Sequence, residues 1–266
     1  MIENLSVALR ASIIAGNEIM GIYTNPDSDF QIEKKADNSP LTIADKNANE
    51  RIVALLQRTE LPILSEEGKM VPFEERKTWD KLWIVDPLDG TKEFIKQNGE
   101  FTVNIALVDK GTPVLGVIYV PAEQVIYFGA VGIGAFKAEV ADPLNPHAID
   151  SVFEKAFRIP QTQERDEVIV VASRSHLSAE TEAYIEKIKE SGRSVEMVSK
   201  GSSIKICLVA EGAADIYPRF APTMEWDTAA GHAIVKAAGK EIYQIDEVTP
   251  LSYNKEDLLN PWFIVK

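Results

Sequence analysis

Apolar residues recur at roughly helical spacing near the start of the chain, where Leu5, Leu9, Ile13, Ile19 and Ile22 predict a helix over residues 3–23, closed by the Asn25-Pro26-Asp27 break. A second helix is expected from Ile43 to Gln57. Between the two, Phe30-Gln31-Ile32-Glu33-Lys34 alternates like an edge strand, and Asp37-Asn38-Ser39-Pro40 reads as a turn. The pattern then changes. A short apolar strand covers Leu82 to Val85, and Phe101 to Val108, Pro113 to Tyr119 and Gln124 to Ala130 follow with Gly or Pro punctuation, as in an antiparallel meander. After a polar, Pro-bearing stretch near residues 141–165, Val168 to Ala172 is a wholly apolar strand. A helix from about Ser178 to Ser191 follows, and strand and helix signals then alternate. The expected fold class is α/β, with an α+β first half (1–155) and an α/β second half (156–266). No repeat or low-complexity linker separates the halves, so they should pack together with a site between them.

Composition sharpens this picture. The chain has 266 residues, 45% of them hydrophobic, enough to bury a large core without staples. The single cysteine, Cys207, lies in an apolar run, excludes an intramolecular disulfide and reads as a small core residue. The N-terminus lacks a basic leader region, and its apolar residues are interrupted by Glu3, Arg10, Asn17 and Glu18. No stretch approaches the roughly twenty uninterrupted apolar residues of a membrane span. A soluble, cytoplasmic protein with no transmembrane segment is expected, with peripheral association at the inner membrane and oligomeric state left open. With 41 acidic against 28 basic residues, the formal charge of −13 disfavours a duplex nucleic-acid partner. A small anionic substrate needs local compensation from a cation or from placed Lys and Arg side chains. Gly132-Ile133-Gly134 lacks the third glycine and following helix of a phosphate loop, and reads as a hairpin turn.

Candidate chemistry concentrates in Trp83-Ile84-Val85-Asp86-Pro87-Leu88-Asp89-Gly90-Thr91-Lys92-Glu93-Phe94, a strand that enters a turn bearing two carboxylates and then an apparent helix. An isolated Asp-x-x-Asp is ordinarily a turn with a helix cap. Here Glu66 and Glu67 also follow a short apolar strand, and Glu225-Trp226-Asp227 precedes the helical run Thr228 to Ala238. Trp226 reads as a packed aromatic. Converging carboxylates repel and raise one another's pKa values, so such a cluster normally persists through bound cations. With only His147, His176, His232 and one Cys available, zinc is disfavoured and Mg²⁺ favoured, which points to phosphoryl chemistry.

Four blocks in order resemble the signature of the inositol monophosphatase superfamily: Leu41-Thr42-Ile43-Ala44-Asp45, Glu66-Glu67, Asp86-Pro87-Leu88-Asp89-Gly90-Thr91 and Trp226-Asp227-Thr228-Ala229-Ala230-Gly231. Finer features are similar to its bacterial bisphosphate nucleotidase branch. These are Ala36-Asp37-Asn38-Ser39-Pro40, Lys92 to Lys96, Asn98 to Leu107, Ser173-Arg174-Ser175-His176 and Gly201-Ser202-Ser203-Ile204-Lys205. The resemblance implies a layered α-β-α-β-α sandwich and a site holding two or three Mg²⁺ ions. Glu66, Asp86 and the Leu88 carbonyl would hold one ion, Asp86, Asp89 and Asp227 another, with Asp86 bridging. It implies that Thr91, hydrogen-bonded to Asp45, orients an attacking water, and that Gly90 and Thr91 cradle the departing phosphate at a helix start. Substrate contacts would come from Glu66, Gly90, Thr91, Ser202, Lys205, Arg219 and Asp227. Lys205 and Arg219 suit a nucleotide's second phosphate, the alternative being solvated surface charges, and the same holds for Arg174 and His176.

The implied activity is Mg²⁺-dependent hydrolysis of the 3'-phosphate of adenosine 3',5'-bisphosphate, and similarly of its sulfated relative, clearing a by-product of sulfate assimilation. The competing readings are an inositol monophosphate or fructose bisphosphate hydrolase, and a non-catalytic divalent-cation or nucleotide-binding regulator.

Overall fold

The computed structural model describes residues 1–34, 40–145, 147–161, 165–172 and 178–266. Two helices come first, α1 (Ile2–Tyr23) and α2 (Ile43–Leu56), with the paired two-residue strands β1 (Glu33–Lys34) and β2 (Pro40–Leu41) between them. Then follow β3 (Ile63–Ser65), α3 (Phe73–Arg76), β4 (Lys81–Asp89), α4 (Thr91–Ile95), β5 (Thr102–Asp109), β6 (Thr112–Val120), β7 (Val125–Ala130), β8 (Gly134–Glu139), α5 (Ala148–Lys155) and β9 (Phe157–Ile159). Strands β3 to β9 form one seven-stranded sheet in sequence order, antiparallel except for the β3–β4 pair. The rest comprises β10 (Val168–Ala172), α6 (Ala179–Glu190), β11 (Val195–Ser199), α7 (Ile204–Glu211), β12 (Tyr217–Arg219), α8 (Glu225–Ala237), β13 (Ile242–Gln244) and β14 (Phe263–Val265). Here β10 and β11 pair in parallel, and β12-β14-β13 form an antiparallel sheet. The Val171 N–H donates to the Ile216 carbonyl at 2.8 Å, tying the two together.

Strand alternation sets the layers, because successive side chains of a strand face opposite sides. Trp83, Val85, Val103, Ile105, Val117 and Tyr119 point to one side and pack with α1 and α2 through Leu5, Leu9, Ile19 and Ile52. Their neighbours Leu82, Ile84, Ala106, Val108 and Ile118 point to the other side, where α7 and α8 supply Ile206, Cys207, Val209, Ala229 and Ile234. The same rule splits β10: Val171 joins that second core, whereas Val168 and Val170 meet Ile185 of α6. The order is therefore α1/α2, large sheet, α7/α8, small sheets, α6, the α-β-α-β-α sandwich.

Helix α8 lies close on the large sheet because Gly116 of β6 has no side chain. A Cβ there would stand 2.1 Å from the Ala230 carbonyl oxygen, a backbone atom that cannot step aside. Gly116→Ala should therefore destabilise the protein by about 1–3 kcal/mol or more. Because α8 carries Asp227, turnover should fall with stability, and chemical denaturation alongside kcat checks both.

Several elements differ from expectation. Strand β4 does not stop at Val85 but continues to Asp89, with a register shift between Asp86 and Asp89 that accommodates Pro87. Of Phe30 to Lys34 only Glu33 and Lys34 pair, while the Phe30 ring packs 4.9 Å from that of Phe94. Residues 37–39 of the expected turn lie outside the described residues. The polar stretch near 141–165 hides α5 and β9, whose buried residues Ile149, Val152 and Ile159 are too few to show a period. Helix α8 begins at Glu225, so Asp227 sits inside its first turn rather than before it. Gly132 to Gly134 does turn a hairpin, between β7 and β8. Helix α1, with 22 residues and a mean hydropathy of 1.3, reaches the length and apolarity of a membrane span despite its charged interruptions; half of that window is buried within the protein.

Candidate active site

The strand β4 delivers two carboxylates where its pairing with β5 shifts: Asp86 lies opposite Asn104, and Asp89 opposite Thr102. Asp227 arrives from the first turn of α8, where its Oδ2 accepts from the Met224 N–H at 2.9 Å and so caps its own helix. Between them these acids offer oxygen atoms all within 4.8 Å of one another. Glu66 leaves β3 with its N–H on the Val85 carbonyl at 3.0 Å, and its charge acts on Asp86. Glu67 is half-buried beside it and also engaged. Leu88 is buried, and its carbonyl oxygen lies 3.3 Å from Thr91 Oγ1.

Asp45 is buried at the start of α2 and uses its two oxygens differently. Oδ2 accepts from the Thr42 N–H at 2.7 Å and from Thr42 Oγ1 at 2.5 Å, closing a capping box, while Oδ1 accepts from Thr91 Oγ1 at 3.1 Å. Thr91 follows Gly90, whose φ of 93° is a conformation in which a side chain is strained. A Cβ on Gly90 would also stand 3.0 Å from the Glu100 carbonyl oxygen, so the turn needs glycine twice over.

The loop before α7 meets these acids. Asp89 Oδ2 accepts from the Ser203 N–H at 2.7 Å and from Ser202 Oγ at 2.6 Å, and Ser203 Oγ lies 2.7 Å from the same oxygen. Ser202 therefore enters as a partner of Asp89, its proton already used, and not as an open donor to substrate. Ser203, absent from the sequence-derived set, also lies 2.9 Å from the Asp227 carbonyl and receives the Asn104 side-chain N–H at 2.9 Å. Thr102 Oγ1 donates to Asn104 Oδ1 at 2.9 Å. The available signal for these two was their spacing, polar residues two apart on one face of an otherwise apolar strand.

One cavity of about 320 Å³ is lined by Asp89, Gly90 and Asp227, and also by Ser202, Lys205, Tyr217 and Arg219. Lys205 is buried, with Nζ donating to the Ser202 carbonyl at 2.6 Å and the Lys200 carbonyl at 3.3 Å, so the solvated reading fails for it. Burial draws its pKa down to about 8, with Asp89 opposing the shift and Arg219 adding to it. Arg219 donates through Nη2 to the Pro222 carbonyl at 3.3 Å, while its Nε is sealed from solvent without a partner among the described residues. Trp226 packs against the core beneath α8. Arg174 and His176 lie outside the described residues.

Burial, followed by the Glu66, Asp89 and Asp227 charges, holds the Asp86 carboxyl well above the ordinary carboxylate range. Burial, followed by Asp89, does the same to Asp227, partly offset by its bond to the Met224 N–H. The Arg219 charge offsets only part of this repulsion. The cluster's donors are oxygen atoms alone, since His232 is engaged by Tyr253 and Glu241 and Cys207 is a buried core thiol that burial keeps protonated. An oxygen-only set with unbalanced negative charge fits a hard divalent cation.

Comparison with known proteins gives the chain's relatives. CysQ of Escherichia coli K12, a 3'(2'),5'-bisphosphate nucleotidase, is 44% identical over 256 residues, covering 94% of each chain. CysQ of Haemophilus influenzae, with the same description, is 36% identical and spans 98% of this chain and 91% of its own. A crystal structure of CysQ from Bacteroides thetaiotaomicron superimposes with a TM-score of 0.90 at 59% identity, covering 99% of this chain and 97% of that one. An inositol monophosphatase from Thermotoga maritima shares the fold, with a TM-score of 0.74 at 23% identity, over 99% and 92% of the two chains. The inositol monophosphatase family model matches residues 2–262, and the chain belongs to that family.

Proposed function

We propose that this chain is a Mg²⁺-dependent 3'(2'),5'-bisphosphate nucleotidase that removes the 3'-phosphate of adenosine 3',5'-bisphosphate to give AMP and phosphate. On this reading it treats the sulfated form likewise and clears a by-product of sulfate assimilation in the cytoplasm. The observation that carries the reading is a single cavity lined both by the carboxylates Asp89 and Asp227 and by the cations Lys205 and Arg219. A ligand with two separate phosphates meets both kinds of group, whereas an inositol monophosphate leaves the Lys205 and Arg219 charges unanswered. Residues 1–155 then supply Glu66, Asp86, the Leu88 carbonyl and Asp89, and residues 156–266 supply Asp227 and the nucleotide contacts.

Asp86, Asp89 and Asp227, together with Glu66 and the Leu88 carbonyl, would hold Mg²⁺, which would supply Lewis-acid polarisation of the phosphoryl oxygens. The protein's own contribution to proton transfer is the Asp45–Thr91 pair. Asp45 Oδ1 takes the Thr91 hydroxyl proton as a hydrogen bond, which leaves the Thr91 oxygen lone pairs to accept from the attacking water. A purely binding protein has no use for that pair, which weighs against the regulator reading.

Thr91→Ala should lower kcat about 10²-fold or more, with KM changed little, because the ground-state ligand does not need the water oriented. Asp45→Asn should do the same, while Thr91→Ser should retain most activity. Steady-state kinetics with melting curves on each variant decides; a loss tracking lowered stability alone would reduce Asp45 to a helix cap. The function itself is tested by phosphate release from adenosine 3',5'-bisphosphate, inositol monophosphate and fructose bisphosphate, each with and without Mg²⁺. Preference for the nucleotide is expected, and equal rates on all three would refute it.

A further inference from the structure

Tyr217 has a place in this cavity that its packing does not explain. It is 4% exposed, lines the cavity, and sits two residues before Arg219 on β12, so both side chains face the same side of the strand. Its ring is well held, edge-on to Phe263 with centroids 5.9 Å apart and with Lys205 Nζ 5.6 Å from its centre. Its hydroxyl has no hydrogen-bond partner among the described residues and is not among the polar atoms sealed from solvent. It is left as a donor for a ligand that enters the cavity.

Two cationic groups line the same cavity as the Tyr217 hydroxyl: the Arg219 guanidinium and the buried Lys205 ammonium. All are donors, and burial keeps the phenol protonated despite the nearby Arg219 guanidinium. An acceptor with several oxygens and negative charge answers them together. We infer that Tyr217 is a specificity-determining residue, its hydroxyl donating to the phosphate of the nucleotide that is not hydrolysed. This rests on the bisphosphate nucleotidase reading and adds a residue to it. Asp89 and Asp227 line the same cavity, so the hydroxyl serves to tell a nucleoside bisphosphate from a nucleoside 3'-monophosphate.

The test compares wild type with Tyr217→Phe, which keeps the ring contacts with Phe263 and Lys205 and removes the hydroxyl alone. On adenosine 3',5'-bisphosphate the variant should raise KM about tenfold, equivalent to about 1.4 kcal/mol, with kcat within about twofold. On 3'-AMP, which lacks the second phosphate, kcat/KM should not change. Calorimetric affinity for 5'-AMP, read without turnover, should fall by a similar factor. Its melting temperature should hold, since a hydroxyl with no protein partner adds little to the fold. Equal loss on both substrates, or no loss on either, would overturn the role of Tyr217. Wild-type protein inactive on the bisphosphate would instead overturn the functional reading beneath it.

Discussion

Asparagine in place of Asp89 or Asp227 is expected to lower kcat about 10³-fold, the scale seen when one electrostatic group is removed from a preorganised site. The substitution conserves shape and deletes a charge. At position 227 the amide oxygen still accepts from the Met224 N–H, so the start of α8 keeps its cap. At position 89 the amide oxygen can still face the Ser202 and Ser203 donors. Neither variant should unfold. In metal-free protein Asp227→Asn should even raise the melting temperature, because it removes one of the charges that repel Asp86 in a buried setting. Phosphate-release kinetics and thermal melts with and without Mg²⁺ test both halves of this expectation. Near-normal turnover in both variants would take the two residues out of the site.

Mg²⁺ should stabilise the protein, and by an amount that grows with pH. Asp86 and Asp227 hold their protons in the folded metal-free protein at pH values where the unfolded chain has already released them. The native state then binds more protons than the unfolded one, so stability falls as pH rises from the unfolded value, near 3.8, through the raised folded values. A cation reverses this by favouring the ionised carboxylates. At 100 times its dissociation constant, Mg²⁺ contributes about 2.7 kcal/mol. For a chain of this size that is a rise of about 5–10 °C in melting temperature. The shift should shrink at acid pH, where protons compete with metal, and shrink again in Asp227→Asn. An Mg²⁺ effect that is absent, or equal at pH 5 and pH 8, would mean that the acids do not bind the ion as a group.

Much of this molecule was legible in its sequence, for reasons that also mark where legibility stopped. The meander β5–β6–β7 announced itself because each strand is buried on both faces over most of its length, giving apolar runs such as residues 105–108. β9 and α5 did not, since three to eight residues with one to three buried side chains carry no measurable period. The acidic site residues could be read from order and residue type, and Asp86, Asp89 and Asp227 do converge. What holds Asp89 was hidden. Ser203 stands 114 positions away and reaches it only because α7 packs beneath α8, a tertiary fact with no local trace. The boundary of α8 was missed because Glu225 and Asp227 look like loop acids in sequence, while in the fold they are its first turn. Lys205 illustrates the opposite limit: nothing in Ser203-Ile204-Lys205-Ile206 distinguishes a solvated lysine from one enclosed by Tyr217 and two backbone carbonyls.

The most direct test of the shared-cation site is crystallographic, with crystals of the wild-type protein soaked in Mn²⁺ as an anomalous stand-in for Mg²⁺. An anomalous peak at coordination distance from oxygens of Asp86, Asp89 and Asp227 together is the expected result. Clear density for those three side chains with no peak between them, or a peak held by other residues alone, would contradict it.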